Sequence, residues 1–302
     1  MASIETGCDL CGSIEYSGLY RGNLDGSASN AAAYYSSSRF DADYYPIVRC
    51  AGCNLVRSFL REDDLTLSDI YTRLEDRKYE AEAVNRRRTA LSYLNLVSRF
   101  CQEPQTLLDI GCSTGIFLST AQQAGWNVTG LEPSRWAAHL ASGRLSGTKI
   151  VVSTLDEADF PAENFDVITL WDVIEHLPYP SEVLLSIHRW LKPSGWLFLN
   201  TPNIASIPSR ALGARWMLLL REHIWYFSPQ TLQMLLAKCG FRLVSTRSNL
   251  VWFSMGTILT RMTQYHNPQL IRFTRALIDC QRFVNVPLRF PIGEITIAAQ
   301  KV

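Results

Sequence analysis

The sequence has no long apolar run and almost no net charge. Its longest candidate for a membrane span, residues 250–259, contains Ser254 and Gly256 and is much shorter than the ~18 apolar residues that a spanning helix needs. The 29 Lys and Arg residues nearly balance the 28 Asp and Glu residues, so a net charge of +1 gives no electrostatic reason to expect a nucleic-acid partner. The first residues, MASIETGCDLCG, are neither apolar nor basic and do not resemble a signal peptide. We expect a soluble, cytoplasmic protein.

An alternation of strands and helices fills the chain from Thr106 onward. This order is typical of a parallel sheet with helices on both faces. We predict strands near residues 106–110, 127–131, 149–152, 165–171, 195–200, 241–247 and 294–300. With 302 residues, 47% of them hydrophobic, the chain has room for one large domain or two.

The stretch TLLDIGCSTG, residues 106–115, joins a short buried strand to a helix through a glycine turn. Backbone N–H groups at such a turn suit an anionic group, and Asp109 lies near the strand's carboxyl end, where ligands bind in α/β sheets. The Gly-x-Ser-x-Gly pattern also matches the nucleophile elbow of hydrolases, with Ser113 as nucleophile. That fold has several strands before the elbow, and none is convincing here. Glu132 closes the next strand about 20 residues later, where a ribose-binding acid is expected. A nucleotide-type ligand is favoured, although the G-x-G-x-x-G of an NAD site is missing.

Five sequence blocks occur in the order of a known family: LLDIGCSTGIFL, GLEPS, FDVITLWDVIEHL, LKPSGWLFLNTPN and HIWYFSPQTL. Together they resemble class I S-adenosylmethionine (SAM)-dependent methyltransferases, from Thr106 to about Gly240. The resemblance implies SAM as cofactor and a Rossmann-like α/β fold. Its seven-stranded sheet would be mostly parallel, with the last strand antiparallel. The family's usual middle glycine of the turn is Ser113 here, which we expect to fit only with a negative φ.

The resemblance also implies a set of cofactor-binding residues. The glycine turn would hold the methionine carboxylate, Asp109 would lie near the ammonium, and Glu132 would accept both ribose hydroxyls. Trp171 and Asp172 close the fourth strand and face the same crevice. The predicted cofactor-binding residues are Tyr79, Asp109, Gly111, Cys112, Ser113, Thr114, Gly115, Glu132, Pro133, Thr154, Leu155 and Trp171. For Tyr79 and Trp171, ordinary packing is the alternative.

Two C-x-x-C pairs, separated by 38 residues, stand out among eight cysteines. The four residues are Cys8, Cys11, Cys50 and Cys53. Paired knuckles of this kind predict a structural zinc site with four thiolate ligands. Disulfides are the alternative, which a cytoplasmic chain argues against. The remaining cysteines, Cys101, Cys112, Cys239 and Cys280, lie in apolar contexts typical of small core residues.

We divide the chain into a zinc-binding module (1–65), a helical cap (66–103) and a methyltransferase domain (104–302) with a helical insertion at about 250–285. The loop between the knuckles is rich in aromatic residues: Tyr34, Tyr35, Phe40, Tyr44 and Tyr45. It either packs onto the neighbouring domain or forms a lid that contacts substrate. Residues 69–100 are predicted helical, with Arg86, Arg87 and Arg88 on a solvated face. Residues 268–284 form a basic amphipathic pattern, typical of a helix that covers the sheet or an acceptor cavity or, alternatively, contacts an anionic membrane.

Five histidines are candidates for a general base. His139 and His188 lie in amphipathic helices, and His266 lies in a polar turn. His176 ends DVIEH beside the fourth strand, and His223 begins HIWYFSP. Sugar C-methyltransferases with an N-terminal zinc site use a Glu-His pair at the place matched by Glu222 and His223, so His223, Glu222 and His176 are the predicted catalytic residues. The tyrosine of those enzymes has no match at Leu220. Adjacent side chains of an extended chain point to opposite faces, so Glu222 and His223 can both face the acceptor only where the backbone turns.

These observations predict a zinc-containing, SAM-dependent methyltransferase that acts on oxygen or carbon of a small molecule. A sugar, nucleotide-sugar or glycan acceptor is implied by the resemblance. An RNA base methyltransferase with an N-terminal zinc is one alternative, although it calls for a basic stripe that a net charge of +1 does not favour. A non-catalytic SAM-fold binding protein is the other.

Overall fold

The computed structural model describes residues 2–3, 7–24, 43–256, 259 and 286–302. Before residue 106 the described chain forms β1 (Ala2–Ser3), β2 (Tyr16–Tyr20), β3 (Ile47–Cys50), β4 (Val56–Ser58), β5 (Leu60–Arg61), α1 (Asp64–Thr72), α2 (Arg77–Ala81) and α3 (Ala83–Phe100). It continues with β6 (Thr106–Ile110), α4 (Ile116–Gln123), β7 (Asn127–Glu132), α5 (Arg135–Arg144), β8 (Lys149–Val152), β9 (Phe165–Trp171), a 3₁₀ turn (Ile174–His176), α6 (Pro180–Trp190), β10 (Leu191–Pro202) and α7 (Ile207–Leu212). A second 3₁₀ turn (Gly213–Arg215) precedes β11 (Trp225–Tyr226), α8 (Pro229–Lys238), β12 (Phe241–Ser248), β13 (Val251–Ser254), β14 (Pro287–Phe290) and β15 (Glu294–Lys301).

The central sheet has seven strands in the order β12-β15-β10-β9-β6-β7-β8. The five strands from β10 to β8 are parallel, and β15 runs antiparallel to both of its neighbours. The predicted α/β fold with a mostly parallel, seven-stranded, Rossmann-like sheet is therefore confirmed. In detail, β10 begins at Leu191, four residues earlier than the predicted start at 195.

Helices cover both faces of this sheet. Leu108 and Ile110 of β6 pack in one apolar cluster with α6 and α8, whereas Leu107 packs with α3 and α4 on the opposite face. Because successive side chains of a strand point to opposite faces, a strand that is covered on both sides is a nearly continuous apolar run, which in β6 is interrupted only by Asp109 near its end. This explains why β6 was visible in the sequence.

The segment before the sheet forms three helices rather than the one predicted over residues 69–100. Asp63 and Asp76 each accept a hydrogen bond from the backbone N–H of the third residue of the following helix. The donor is Thr66 N in α1 and Tyr79 N in α2. Such N-terminal capping begins a new helix at each aspartate. Hydrophobic periodicity alone did not separate these helices, because capping depends on single polar residues.

A second sheet, with the order β11-β4-β3-β2, joins the N-terminal segment to the later part of the chain. β11 pairs antiparallel with β4, which places Trp225 opposite Arg57 and Tyr226 opposite Val56. The cysteine-bearing N-terminal segment therefore shares backbone hydrogen bonds with the chain that immediately follows His223.

The aromatic loop and the basic helix are only partly described. Tyr34, Tyr35, Phe40, residues 268–284, His266 and Cys280 lie outside the described residues. Tyr44 and Tyr45 are buried, and Tyr44 Oη donates to Ala214 O at 3.0 Å. Since neither lines the cavity described below, these two tyrosines are packing residues, and the lid interpretation is wrong for them. Within the described part of the chain, no helix has the length and apolarity to cross a bilayer.

Candidate active site

A cavity of about 910 Å³ lies at the carboxyl ends of β6, β7 and β9. Every predicted cofactor-binding residue except Thr114 and Gly115 lines it. The predicted catalytic residues His176, Glu222 and His223 line the same cavity. The fold thus brings together side chains that are up to 144 positions apart in the chain, from Tyr79 to His223.

The glycine turn after β6 has three residues in the left-handed region, Gly111, Ser113 and Gly115. Gly111 has φ 70°, and a Cβ there would lie 2.6 Å from Val173 Cγ2, so only glycine fits. Ser113 has φ 48°, which corrects the expectation of a negative φ. Its backbone N–H donates to Glu132 Oε2, and this bond offsets the cost of the left-handed conformation.

Thr114 and Gly115 lie beneath the turn rather than at the cavity. Thr114 is fully buried and accepts hydrogen bonds from Arg144 Nη1 through its backbone oxygen and its Oγ1, at 2.6 and 3.0 Å. Gly115 is the N-cap of α4, and a Cβ there would lie 3.0 Å from Ala141 Cβ on α5. Both residues hold α4 against α5, so they support the turn without facing a ligand.

Two backbone N–H groups position the Glu132 carboxylate. Ser113 N donates to Oε2 at 2.8 Å and Ser134 N donates to Oε1 at 2.9 Å. Burial raises the pKa of Glu132 to about 7, although both hydrogen bonds act in the opposite direction. Each oxygen has a further lone pair, so the carboxylate could accept both hydroxyls of a ribose.

Asp109 is a second buried acid of the cavity. It is 2% exposed and accepts a hydrogen bond from Thr169 Oγ1 at 2.6 Å. Burial raises its pKa to about 8, and the nearby Glu132 adds to the shift. A buried carboxylate without a cationic partner is costly, so this position suits a cationic group such as an ammonium.

Three aromatic residues, Tyr93, Phe117 and Trp171, pack together in the wall of the cavity. Trp171 stacks on Tyr93 with ring centroids 4.0 Å apart and meets Phe117 edge-on. Its Nε1 is buried and has no hydrogen-bond partner among the described residues. A buried indole N–H usually has a partner, so Trp171 is an exception among the buried polar groups.

Arg86 is a cavity residue that the sequence analysis placed wrongly. Its guanidinium lies over the Tyr79 ring, 3.4 Å from the centroid, instead of on a solvated face. The sequence spacing already indicated this orientation of Arg86. Arg86 precedes the buried residues Ala90, Tyr93 and Val97 by four, seven and eleven positions, so it lies on the same face of α3.

A buried polar network that includes Glu294 was not predicted. Asn200 Nδ2 donates to Asp172 Oδ1 and to Glu294 Oε2, and Asn249 Nδ2 donates to Glu294 Oε2 at 2.7 Å. Asp172 has φ 58°, and burial raises its pKa above the usual range. Burial also raises the pKa of Glu294 to about 8. Glu294 lies in the antiparallel strand β15, so no local motif marked it.

The two predicted catalytic histidines are neighbours. Their ring centroids lie 4.8 Å apart with an angle of 74° between the rings. His176 Nδ1 lies 3.1 Å from Glu222 O and 3.1 Å from Tyr71 Oη, and His223 Nδ1 lies 2.8 Å from Leu218 O. Burial lowers the pKa of His176 to about 4 and that of His223 well below its usual range, so both imidazoles are neutral at pH 7.

Glu222 and His223 both line the cavity because the backbone turns at this point. His223 N donates to Leu220 O at 3.2 Å, which bends the chain just before β11. The geometric condition that the sequence analysis set for this pair is therefore met.

A family model described as a methyltransferase domain matches residues 82–246, which is more than half of the chain. The matched range includes β6, β7, β9 and the turn at His223. The chain belongs to this methyltransferase family. The matched domain is that of a SAM-dependent methyltransferase, as predicted.

Several named relatives of this methyltransferase share its central part. Ubiquinone biosynthesis O-methyltransferases are 33% identical over 108 residues in Hydrogenovibrio crunogenus and 29% identical over 146 residues in Thiobacillus denitrificans. These alignments cover 33% and 44% of this chain, and 44% and 63% of the relatives. The chain thus spans about half the length of the curated relatives that it matches. A SAM-dependent methyltransferase from Thermotoga maritima, described as a possible histamine N-methyltransferase, has a TM-score of 0.49 at 19% identity, covering 74% of this chain and 95% of its own.

The residues of this methyltransferase fit SAM. Gly111 lines the cavity beside Asp109 and Glu132, and these two carboxyls offer the acidic groups that an ammonium and a ribose require. Thr154, Leu155 and Asp156 line the same cavity after β8, near Glu132 and Pro133.

The methyltransferase also has a cluster of four thiols outside this cavity. Cys8, Cys11, Cys50 and Cys53 have their Sγ atoms within 4.8 Å of one another, and all four are free. The Sγ atoms of Cys8 and Cys53, and those of Cys11 and Cys50, lie 3.5 Å apart. A tetrahedral zinc ion with ~2.3 Å bonds holds its sulfur ligands roughly 3.8 Å apart. The arrangement fits zinc better than disulfides.

The two cysteine knuckles have the same backbone conformation. Four residues after the first cysteine of each, Gly12 and Asn54 adopt positive φ values of 75° and 64°. Each donates its N–H to the carbonyl of that first cysteine, at 2.7 Å for Cys8 and 3.0 Å for Cys50. Two equivalent turns that face each other present four sulfur atoms to one point.

Proposed function

We propose that this SAM-dependent methyltransferase methylates a hydroxyl oxygen of a small molecule of the sugar, nucleotide-sugar or glycan class. The observation that carries the proposal is that one cavity is lined both by Asp109 and Glu132 and by His176 and His223. The relatives named O-methyltransferases favour oxygen over carbon. The sugar class is supported by the resemblance of the four-cysteine cluster and the Glu222–His223 pair to sugar methyltransferases.

The roles proposed for the cofactor side follow from charge and hydrogen-bonding capacity. Glu132 would accept the two ribose hydroxyls, Asp109 would face the ammonium, and the N–H groups of the glycine turn would face the carboxylate. Arg86, which the sequence analysis had placed in solvent, is a further candidate to bind the methionine carboxylate, because its positively charged guanidinium lines this cavity. Thr154 and Leu155 would contact the adenine.

The acceptor side has to orient a nucleophile and remove its proton. The methyl group of SAM is already activated by the sulfonium, so alignment of the acceptor with it is the main requirement. A hydroxyl acceptor must lose a proton, and a neutral imidazole can assist this loss. His223, whose Nδ1 side is held by Leu218 O, is the proposed proton-handling residue, with His176 and Glu222 beside it.

We also propose that Cys8, Cys11, Cys50 and Cys53 bind a structural zinc ion. Four protein ligands fill a tetrahedral coordination sphere, so this ion would not touch substrate. It would stabilise the small N-terminal segment and, through the pairing of β4 with β11, the position of the chain next to His223.

Transfer of radiolabelled methyl groups from SAM to a panel of sugars, nucleotide-sugars and glycans tests the proposed function. With an acceptor identified, we expect His223→Ala to lower turnover by about 10²-fold or more, because proton removal becomes limiting. Affinity for SAM, measured by calorimetry, should stay within a few-fold of wild type. If the turnover of His223→Ala stayed within a few-fold of wild type, His223 would be a packing residue and not a proton-handling one.

A further inference from the structure

Three cavity residues outside the thiol cluster have the arrangement of a metal site. Glu175 and His176 belong to the 3₁₀ turn after β9, and His223 lies in the turn before β11. One ligand atom from each residue lies within 4.8 Å of those of the other two. A transition ion with ~2.1 Å bonds holds neighbouring ligands roughly 3 to 4 Å apart, so small side-chain movements bring all three into contact with one ion.

The hydrogen bonds of both histidines leave the same nitrogen available. His176 Nδ1 faces Glu222 O and His223 Nδ1 faces Leu218 O. A carbonyl oxygen only accepts, so in each ring Nδ1 carries the proton and Nε2 carries the lone pair. A backbone carbonyl on the far nitrogen is the usual way in which proteins orient a metal-binding imidazole.

Buried acidic side chains surround this cluster. Glu175 is 1% exposed and accepts a hydrogen bond from Thr201 Oγ1 at 3.0 Å. Burial raises the pKa of Glu175 well above its usual range, and the nearby carboxyls of Asp172 and Glu294 add to this shift. In the described part of the molecule, no Lys, Arg or His forms an ion pair with Glu175. A divalent cation would give the Glu175 carboxyl a cationic partner.

We propose that Glu175, His176 and His223 bind a divalent transition-metal ion at the acceptor end of the cavity. Two imidazoles and one carboxylate suit Zn²⁺, Mn²⁺, Fe²⁺ or Co²⁺, whereas Mg²⁺ and Ca²⁺ prefer oxygen ligands. Three protein ligands leave at least one coordination position open, and all three residues line the cavity. The site therefore differs from the four-cysteine cluster, whose ligands leave no open position.

The chemical consequence rests on the proposed function and concerns the acceptor hydroxyl. An ion in the open cavity lowers the pKa of a hydroxyl that contacts it. The O–H bond then breaks with its proton passing to water, the oxygen forms a bond to the methyl carbon, and the sulfur–methyl bond breaks, its electron pair remaining on the now neutral thioether. No oxidant or reductant is consumed. When the ion is bound, His176 and His223 act as its ligands, and the ion takes over the activation of the hydroxyl that a free imidazole would otherwise provide.

Co²⁺ binding to metal-depleted protein tests the site without an acceptor, because thiolate and imidazole ligands give Co²⁺ different absorption spectra. We expect wild type to bind two Co²⁺ ions, one with intense sulfur-to-cobalt absorption in the near ultraviolet and one without. Glu175→Gln, which retains the shape of the side chain, and His223→Ala should each lose only the second ion. Cys50→Ser should lose only the first.

His139→Ala, at an exposed histidine on α5, is the matched control and should bind both ions. Thermal unfolding and SAM affinity of Glu175→Gln show whether the variant is folded. Binding of a single, sulfur-ligated ion by wild type, or two ions by folded Glu175→Gln, would overturn the metal site. Methyl transfer by protein that lacks the second ion would overturn the role of that ion and leave the proposed function intact. If the second ion binds normally but no acceptor is methylated, the result counts against the proposed function alone.

Discussion

At the scale of single residues, the cofactor side of the cavity depends on two buried acids. Asp109 and Glu132 are 2% and 7% exposed, and neither forms an ion pair within the described part of the protein. Burial raises both pKa values, so the ligand-free protein keeps these groups in a costly environment. A ligand with an ammonium and a diol would relieve that cost, which links the acids to binding rather than to folding.

Glu132→Ala should remove most of the affinity for SAM. The change deletes the two charge-assisted hydrogen bonds proposed to form with ribose, and it also frees the N–H groups of Ser113 and Ser134. We expect wild type to bind SAM with a micromolar-range Kd and the variant to bind at least ~10²-fold more weakly in calorimetric titration. Ser113→Ala is the control and should retain activity, since its backbone rather than its hydroxyl contacts Glu132. Undiminished affinity in Glu132→Ala would contradict the assignment.

SAM binding should release protons between pH 6 and 7. A folded-state pKa of about 7 leaves much of Glu132 protonated in this range, and the ribose hydroxyls favour the ionised carboxylate. The affinity should therefore weaken as the pH falls from 7 to 6. Calorimetry in two buffers with different ionisation enthalpies measures the released protons. Glu132→Gln should release fewer protons, the remainder coming from Asp109, whose pKa is about 8. A wild-type affinity that is constant over this range would contradict the prediction.

At the scale of elements, a buried ion pair connects the N-terminal segment with the turn that bears His223. Arg221 Nη2 contacts Glu62 Oε1, and both side chains are at most 5% exposed. Tyr45 Oη donates to the same Glu62 oxygen at 2.9 Å. Together with the pairing of β4 and β11, these contacts fix the acceptor side of the cavity to the segment that carries the cysteines.

Breaking this ion pair on one side should destabilise the protein strongly. Arg221→Met leaves the buried Glu62 carboxylate without its cationic partner, at an expected cost of about 3 to 5 kcal/mol in the free energy of unfolding. The double variant Glu62→Leu/Arg221→Met removes both charges and should lose less stability than the single variant. Urea denaturation measures both.

Arg77→Met supplies the exposed control, because the side chains of the pair Arg77–Glu75 are 81% and 47% exposed. We expect a change of no more than about 1 kcal/mol for that variant. If Arg221→Met were equally harmless, the buried pair would not be what holds the two segments together.

At the scale of the whole molecule, the four cysteines and the methyltransferase core form one connected structure. The central sheet carries the proposed cofactor-binding residues, and β11 leaves the core to become a strand of the N-terminal sheet. The turn at His223 lies directly before this strand. The conformation of the N-terminal segment therefore bears on acceptor residues more than on Asp109 or Glu132.

Cys50→Ser should release the proposed zinc ion and disorder the first ~60 residues, since such a small segment depends on its metal for stability. The core from Thr106 onward should still bind SAM, while methyl transfer should fail because β11 loses its partner strand. Elemental analysis, calorimetry with SAM and a transfer assay measure the three outcomes. Freshly purified wild type without zinc would contradict the site. Normal methylation by metal-free protein would contradict its role in positioning the acceptor side.

The sequence by itself determined the features that depend on local spacing. The apolar run of β6, the glycine turn and Glu132 at the end of β7 identified the fold class and the cofactor, because strand periodicity and turn chemistry are properties of neighbouring residues. The pairs Cys8/Cys11 and Cys50/Cys53 could be recognised for the same reason. The family resemblance further suggested His223.

Only the tertiary structure decided which distant residues share the cavity and which segments support it. Glu294 reaches Asn200 from an antiparallel strand, Arg86 turns toward Tyr79 from α3, and Glu62 meets Arg221 across 159 positions. No local pattern encodes such contacts, because they arise when strands pair and helices pack. The proposed metal cluster has the same origin: Glu175 and His176 are adjacent in sequence, but His223 joins them only because the chain turns before β11 and pairs with β4.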